Sequence, residues 1–307
     1  MEKKGALEVS FAWMFAIIVG ATILFLTIFG VSKFISTEQA TSDVKAGKEI
    51  GVLLNPLEIG FESAKTTTLT MPVETRIFIL CDPFGEFGRQ GIEISQKTFN
   101  KWSETGIDVG FQNKYIFSNK FVEGKNFLLF SKPFEFPFKV ADVIYMTSST
   151  ESYCFIDAPE EIGEEIEDLN QANLFISDCP QETIEVCFGF DSSCDINVNY
   201  NLEYVEKLGI RSYFESDSLM YAAIFSDGEI YECQVQRLMS RTSNLAELYS
   251  GKSLIIAEQG CVPEMAANLI FLKNLAESLD SSRDLFQLKS VVENLENSNE
   301  LARCSLW

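Results

Sequence analysis

The residues best suited to chemistry are the eight cysteines: Cys81, Cys154, Cys179, Cys187, Cys194, Cys233, Cys261 and Cys304. Thiols can pair as disulfides, ligate metals or act as nucleophiles. The chain has no histidine and no Cys-x-x-Cys. Cys–His and Ser–His–Asp nucleophile systems and His-ligated metals are therefore excluded, and the cysteine spacings match no zinc module. Metal ligation and buried free thiols are the competing readings of an even cysteine count; oxidative pairing is the better one. Two pairs follow from local geometry. Cys187 and Cys194 flank a short turn between two strand-like runs, where a hairpin would set them face to face. Cys261 opens one helical run and Cys304 closes the next, so an antiparallel helix pair would bring them together. That bridge closes a loop of about 43 residues and stabilises by about 3–4 kcal/mol. Of the remainder, Cys154 is paired with Cys179, which leaves Cys81 with Cys233.

Carboxylates are the other reactive type. Glu160, Glu161, Glu164, Glu165, Glu167 and Asp168 form the densest cluster. A cation site is one reading; a solvated helix face opposite Ile162, Ile166 and Leu169 is the better one, since acids favour a helix start. Asp191–Asp195 is turn chemistry. No phosphate-binding, dinucleotide-binding or nucleophile-elbow motif occurs. No catalytic, cofactor-binding or metal-ligating residue is assigned, and a carboxylate pair could arise only through the fold.

The elements that carry these residues begin with Val9–Ser32, 24 residues without a charge. As a helix this run spans roughly 36 Å, enough to cross a bilayer. It is too long for the apolar core of an ordinary secretory signal. Lysines flank both sides, so charge alone does not orient it. The N-terminal flank is short, so the rest lies wholly on one side, and eight cysteines suggest that side is oxidising. The expectation is a single-pass protein of the cell membrane, N-terminus cytoplasmic and bulk extracytoplasmic. The net charge of −21 falls entirely after the anchor, 22 basic against 43 acidic side chains. That surface repels phosphate backbones and anionic lipid, which excludes nucleic acid as a partner.

Lys3-Lys4-Gly5-Ala6-Leu7-Glu8 ahead of the apolar run resembles the class III signal of type IV pilins and archaeal pilin-like proteins. The resemblance implies cleavage between Gly5 and Ala6, with Glu8 neutralising the free amine of a neighbouring subunit. Beyond the anchor, FKVADVIYMTS (138–148), SYCFIDAPEEI (152–162) and FSDGEIYECQVQRLM (225–239) look like uncharacterised archaeal membrane-anchored surface proteins.

The rest divides by texture. Residues 1–8 are a short leader, 9–32 the transmembrane helix, and 33–56 a helical stalk weakened near Gly47 and Gly51. Residues 57–225 form a β-rich α+β ectodomain, with strands such as 75–80, 125–130, 143–146 and 153–156. A helix capped at Asp157, followed by a strand at 173–177, makes a βαβ-like unit. Residues 226–307 are a helical layer or three-helix bundle: a first helix with a capping box at Ser226–Glu229, ended by Gly251, and two more from near Pro263 and Leu285. The fold class is α+β. The function that follows is a non-enzymatic, membrane-anchored envelope protein with a structural, adhesive or assembly role. Its partners are the bilayer, through Val9–Ser32, and envelope or pilus-like proteins. The alternative is a ligand-binding receptor or carboxylate-based hydrolase.

Overall fold

The computed structural model describes residues 11–54, 65–98, 100–103, 108–189, 193–258 and 265–307, with backbone alone at 12, 34–42, 53 and 65. The chain is an α+β protein: one apolar N-terminal helix, two sheets and a set of C-terminal helices.

Helix α1 (Phe11–Leu53) is a single helix of 43 residues, about 65 Å long at 1.5 Å per residue. Its Trp13–Lys33 portion has mean hydropathy 2.5 and none of it is covered by the rest of the protein, so it is long and apolar enough to cross a membrane. The Thr22 and Thr27 hydroxyls donate to the carbonyls of Ile18 and Ile23, at 2.8 and 2.7 Å. Neither threonine therefore leaves an unpaired hydroxyl donor on this apolar surface.

The first sheet has seven strands: β1 (Lys65–Asp82), β2 (Arg89–Thr98), β3 (Lys101–Trp102), β4 (Val109–Phe111), β5 (Ile116–Phe117), β6 (Phe121–Glu135) and β7 (Lys139–Ser148). Their order is β3-β2-β1-β6-β7-β5, with β4 also on β2. Only β5 and β7 run parallel. The period-two alternation of strands sorts neighbouring side chains into two cores. Ile116, Leu129 and Ile144 face a cluster with Ile77, Ile92, Ile50 and Leu54. Phe117, Phe130 and Tyr145 face the larger cluster on the other side.

The last turns of α1 cover the first of these faces. The expected weakening at Gly47 and Gly51 is absent, because both glycines permit a close approach instead. A Cβ on Gly47 would lie 3.0 Å from Val109 Cγ2, and one on Gly51 2.3 Å from the Phe111 ring. The expected stalk is thus partly a docked helix, with Asp43, Ile50 and Leu54 buried against the head.

The second sheet comprises β8 (Tyr153–Ile156), β9 (Leu174–Ile176), β10 (Ile184–Phe188), β11 (Ile196–Asn199), β12 (Tyr204–Lys207) and β13 (Ile210–Tyr213), in the order β13-β12-β11-β10-β8-β9. Helix α2 (Glu160–Leu169) joins β8 to its parallel neighbour β9, so the βαβ unit is present. Its start differs from expectation: Pro159 holds the N-cap position with no side-chain cap bond. Asp157 turns the chain earlier, at φ 54°. Strands β10 and β11 are parallel, with Cys187 opposite Asn197. The expected hairpin is therefore wrong: β11 lies beside β10 and runs in the same direction.

Between the sheets lies α3 (Asp217–Phe225), buried from Ser218 to Phe225. A helix apolar on every side belongs in an interior. Helix α4 (Gly228–Glu258) then runs 31 residues, straight through Gly251. That glycine touches nothing within 4 Å; without a following turn signal its propensity cost of about 1 kcal/mol does not end a well-packed helix. Helices α5 (Ala266–Glu277) and α6 (Leu285–Glu300) complete the layer, joined by a 3-10 turn at Ser282–Asp284 whose capping box is set by Ser281. The box expected at Ser226–Glu229 is not formed. Ser226 closes α3 by donating to Ala222 O, Asp227 accepts from the Lys120 amide at 2.6 Å, and Glu229 pairs with Lys120 Nζ at 2.6 Å. Those residues hold the β5–β6 turn instead.

Candidate functional site

Three disulfides brace the head. Cys154–Cys179 joins β8 to the segment after β9, with Cα atoms 5.5 Å apart. Cys187–Cys194 spans the return between the parallel β10 and β11 at 6.2 Å. Cys81–Cys233 ties the end of β1 to the second turn of α4, at 6.1 Å across 152 residues of sequence. Cys304 is also disulfide-bonded; its expected partner, Cys261, lies outside the described residues, as do Gly5, Ala6 and Glu8.

Beside the Cys81–Cys233 bridge, α4 carries a buried polar clamp. Gln234 and Arg237 follow Cys233 by one and four positions, so helical spacing points them at the same strands. The Arg237 guanidinium is fully buried. It donates to the carbonyls of Lys114 (2.9 Å), Gln112 (3.0 Å) and Phe87 (3.3 Å) and to Gln234 Oε1 (2.7 Å). It also lies 4.7 Å from the centre of the Tyr115 ring. Burial pushes its pKa down to about 10, so it stays cationic at neutral pH. The Gln234 amide donates to Ile116 O at 3.1 Å and to Gln90 Oε1. Gln90 in turn bonds Leu80 O, Gly91 O and the Ile116 amide. One helix face thereby holds β1, β2 and the segment before β5. Gly88 (φ +58°) sits against this clamp; a Cβ there would meet Asp82 O at 2.6 Å and Arg237 Cγ at 2.7 Å. The sequence signal was weak, since Gln234, Arg237 and Arg241 look like an ordinary polar face of α4. Arg241 also turns inward, its Nε donating to Val140 O at 2.7 Å.

The acidic run on α2 is exposed at Glu160, Glu161, Glu164, Glu167 and Asp168. Glu165 is the exception. It pairs with Lys132 Nζ at 2.6 Å and accepts from the Tyr221 hydroxyl at 3.1 Å, so it docks α2 rather than facing solvent. Asp195 accepts from the Glu185 amide of β10 at 2.9 Å, a bond across ten residues rather than the local turn bond expected of it; Asp191 and Ser192 lie outside the described residues. Among the described residues no group of three or more cysteine or carboxylate side chains could hold a metal ion.

One acid, Glu203, lines a cavity, and a second, Glu215, lies near it. The cavity measures about 290 Å³ and is bounded by Glu203, Tyr213, Phe214, Arg283 and Phe286. Glu203 is ion-paired with Lys289 at 2.5 Å. Glu215 follows Phe214 in sequence; its Oε2 is buried without a hydrogen-bond partner among the described residues. Burial pushes the Glu215 carboxyl up to about 8; Lys289 pulls it down, and Glu203, Glu296 and Glu293 push it up. A carboxyl raised in the fold contributes stability that is fully present below its unfolded pKa near 4.5 and lost as pH rises through 8. Glu215→Gln should therefore flatten the dependence of melting temperature on pH between these limits and melt above the parent at pH 9. A parent whose stability is level from pH 5 to 9 would show that Glu215 is ionised throughout.

Compared with families of known proteins, with curated proteins and with solved structures, the chain matches none. Its reading therefore rests on its own geometry: an apolar helix left bare by the fold, and a head closed by disulfides.

Proposed function

We propose that this is a single-pass protein of the cell envelope. Its N-terminus is cytoplasmic, α1 is the anchor, and the disulfide-braced head stands outside in a structural, adhesive or assembly role. The observation that carries the reading is the joint presence of a bare 21-residue apolar span and three disulfides in the part that follows it. Such bridges persist in oxidising compartments. An adhesive role is supported by the tip between β12 and β13. Leu208 there is 100% exposed and Ile210 66% exposed, beside an open groove of about 700 Å³ over Asp227, Glu229, Glu232 and Cys233. Large apolar side chains held in water mark contact surfaces. The pilin-like leader adds processing between Gly5 and Ala6 to this reading.

The test is made on intact cells expressing the full chain. Protease added outside should digest the head, and a thiol reagent applied under native conditions should label no cysteine before reduction. A head protected until lysis, or thiols that label unreduced, would overturn the proposal. Mass of the N-terminal peptide decides processing: a start at Ala6 supports it, a retained Met1 refutes it.

A second reading has one observation in its favour. Glu215, its carboxyl pushed up by burial, lies near Glu203, which lines the cavity and pairs with Lys289; carboxylate hydrolases bring two such groups together. Turnover of simple glycosides, lost in both Glu203→Gln and Glu215→Gln, would establish it; an inactive parent leaves the head non-enzymatic.

A further inference from the structure

We propose that the β2–β3 hairpin is a second membrane contact, in which Lys97, Lys101 and Trp102 stand at the outer edge of the headgroup layer of the bilayer crossed by α1 and reach anionic lipid phosphates as partners. The proposal rests on α1 spanning the membrane, and its test separates the two.

Helix α1 serves as a ruler. Its apolar span ends at Lys33. Asp43 lies ten residues further along the same helix, about 15 Å from the hydrocarbon edge at 1.5 Å per residue. There the Ser103 hydroxyl donates to Asp43 Oδ2 at 2.8 Å, and the Ser103 amide donates to Gln96 O at 2.9 Å. Higher on the helix, Gly47 meets Val109 and Ile94, and Gly51 meets Phe111. Val109 and Phe111 pair with Ile92 and Gln90 of β2. As α1 descends from Gly51 to Asp43, β2 descends beside it from Gln90 to Gln96, heading for the membrane. Two more residues continue that course: Lys97 opposite Trp102 and Thr98 opposite Lys101. The chain then turns at Asn100, φ 63°. At about 3.3 Å per residue Thr98 and Lys101 lie roughly 7 Å lower than Gln96, about 8 Å from the hydrocarbon edge, and Lys97 and Trp102 about 12 Å from it. The headgroup layer is about 5–7 Å thick on each side of the core, so the hairpin stands at its outer edge, within reach of extended lysines and of the indole.

The chemistry of the tip fits that depth. In a chain of net charge −21, this tip presents two lysines and an indole. Lys101 is exposed. Lys97 Nζ lies 5.5 Å from the centre of the Trp102 ring, and Arg76 lies 4.1 Å over it. Arg76 is already paired with Glu123 at 2.6 Å, so Lys97 and Lys101 supply the basic charge at the tip itself. Tryptophan with flanking basic residues is the composition of a membrane–water interface.

The chain has three tryptophans, Trp13, Trp102 and Trp307. Full-length protein is reconstituted in phosphatidylcholine bilayers, with and without phosphatidylglycerol, containing lipids that carry a nitroxide on the headgroup. In W13F/W307F protein, Trp102 should lose emission to the headgroup nitroxide, with greater loss when phosphatidylglycerol is present. K97Q/K101Q should abolish that added loss. In W102F/W307F protein, Trp13 reports the anchor. Quenching of Trp13 with none of Trp102 overturns the hairpin contact and leaves the anchor standing. Quenching of neither means the helix is not in the bilayer. Trp102 quenching indifferent to phosphatidylglycerol and to K97Q/K101Q overturns the phosphate partnership.

Discussion

Removing the Cys81–Cys233 bridge by a double serine substitution should destabilise the head by about 5 kcal/mol. The bridge closes 152 residues, and the entropy it withholds from the unfolded chain grows with the logarithm of that length. The bridges nested within it shorten the effective loop by some 30 residues, which changes the expectation by only about 0.2 kcal/mol. The same logarithm ranks the others: about 3.5 kcal/mol for Cys154–Cys179 and about 2.4 for Cys187–Cys194, from separations of 25 and 7. Urea unfolding of each double-serine variant measures the series. Losing both thiols of a pair at once avoids leaving a reactive partner behind. A Cys81–Cys233 variant that loses less than the Cys187–Cys194 variant would mean that loop closure is not what this bridge contributes.

Arg237→Ala should cost about 3–5 kcal/mol, since each buried acceptor left without its donor costs about 1–3 kcal/mol and several are left at once. Three carbonyls, of Phe87, Gln112 and Lys114, lose their donor together with Gln234 Oε1. No water-filled surface replaces it, because the side chain is fully buried. Arg237→Lys recovers little, since a single ammonium cannot reproduce the guanidinium fork across these acceptors. Gln234→Leu should also destabilise, by orphaning the Ile116 carbonyl. Arg237 and Cys233 are one helical turn apart and grip the same strand ends, so their losses should not add. Equilibrium unfolding of R237A, of the C81S/C233S protein and of the combination gives that coupling. Strict additivity would show that bridge and clamp hold independent units.

Much of this architecture was legible in the residues. The apolar run at 9–32 has no polar face, so its helix could be read without tertiary information. The β8–α2–β9 unit was legible because its turn residues and the face Ile162–Ile166–Leu169 lie close together in sequence. What failed depended on distant neighbours. Helix α3 spells Ser-Leu-Met-Tyr-Ala-Ala-Ile-Phe, and a segment buried on all sides shows no period by which to tell helix from strand. The parallel pairing of β10 with β11 was hidden because a short link between strands normally makes a hairpin. Gly47 and Gly51 looked like weak points in a free helix; only Val109 and Phe111, far along the chain, make them contact positions. The cavity acids were invisible for the same reason: Glu203 and Glu215 are two among 45 acidic residues until Lys289 and the cavity single them out.

The span of the longest bridge bears on biogenesis. In the proposed topology the head crosses from its anchored end, exposing Cys81 well before Cys233, and four other thiols arrive in between: Cys154, Cys179, Cys187 and Cys194. Oxidation during delivery would join Cys81 to whichever came first, since thiolate exchange follows access rather than final register. Under that proposal, maturation calls for either oxidation delayed until α4 has emerged or an isomerase that reshuffles early pairs. Cells lacking such an activity would accumulate scrambled, protease-sensitive chains.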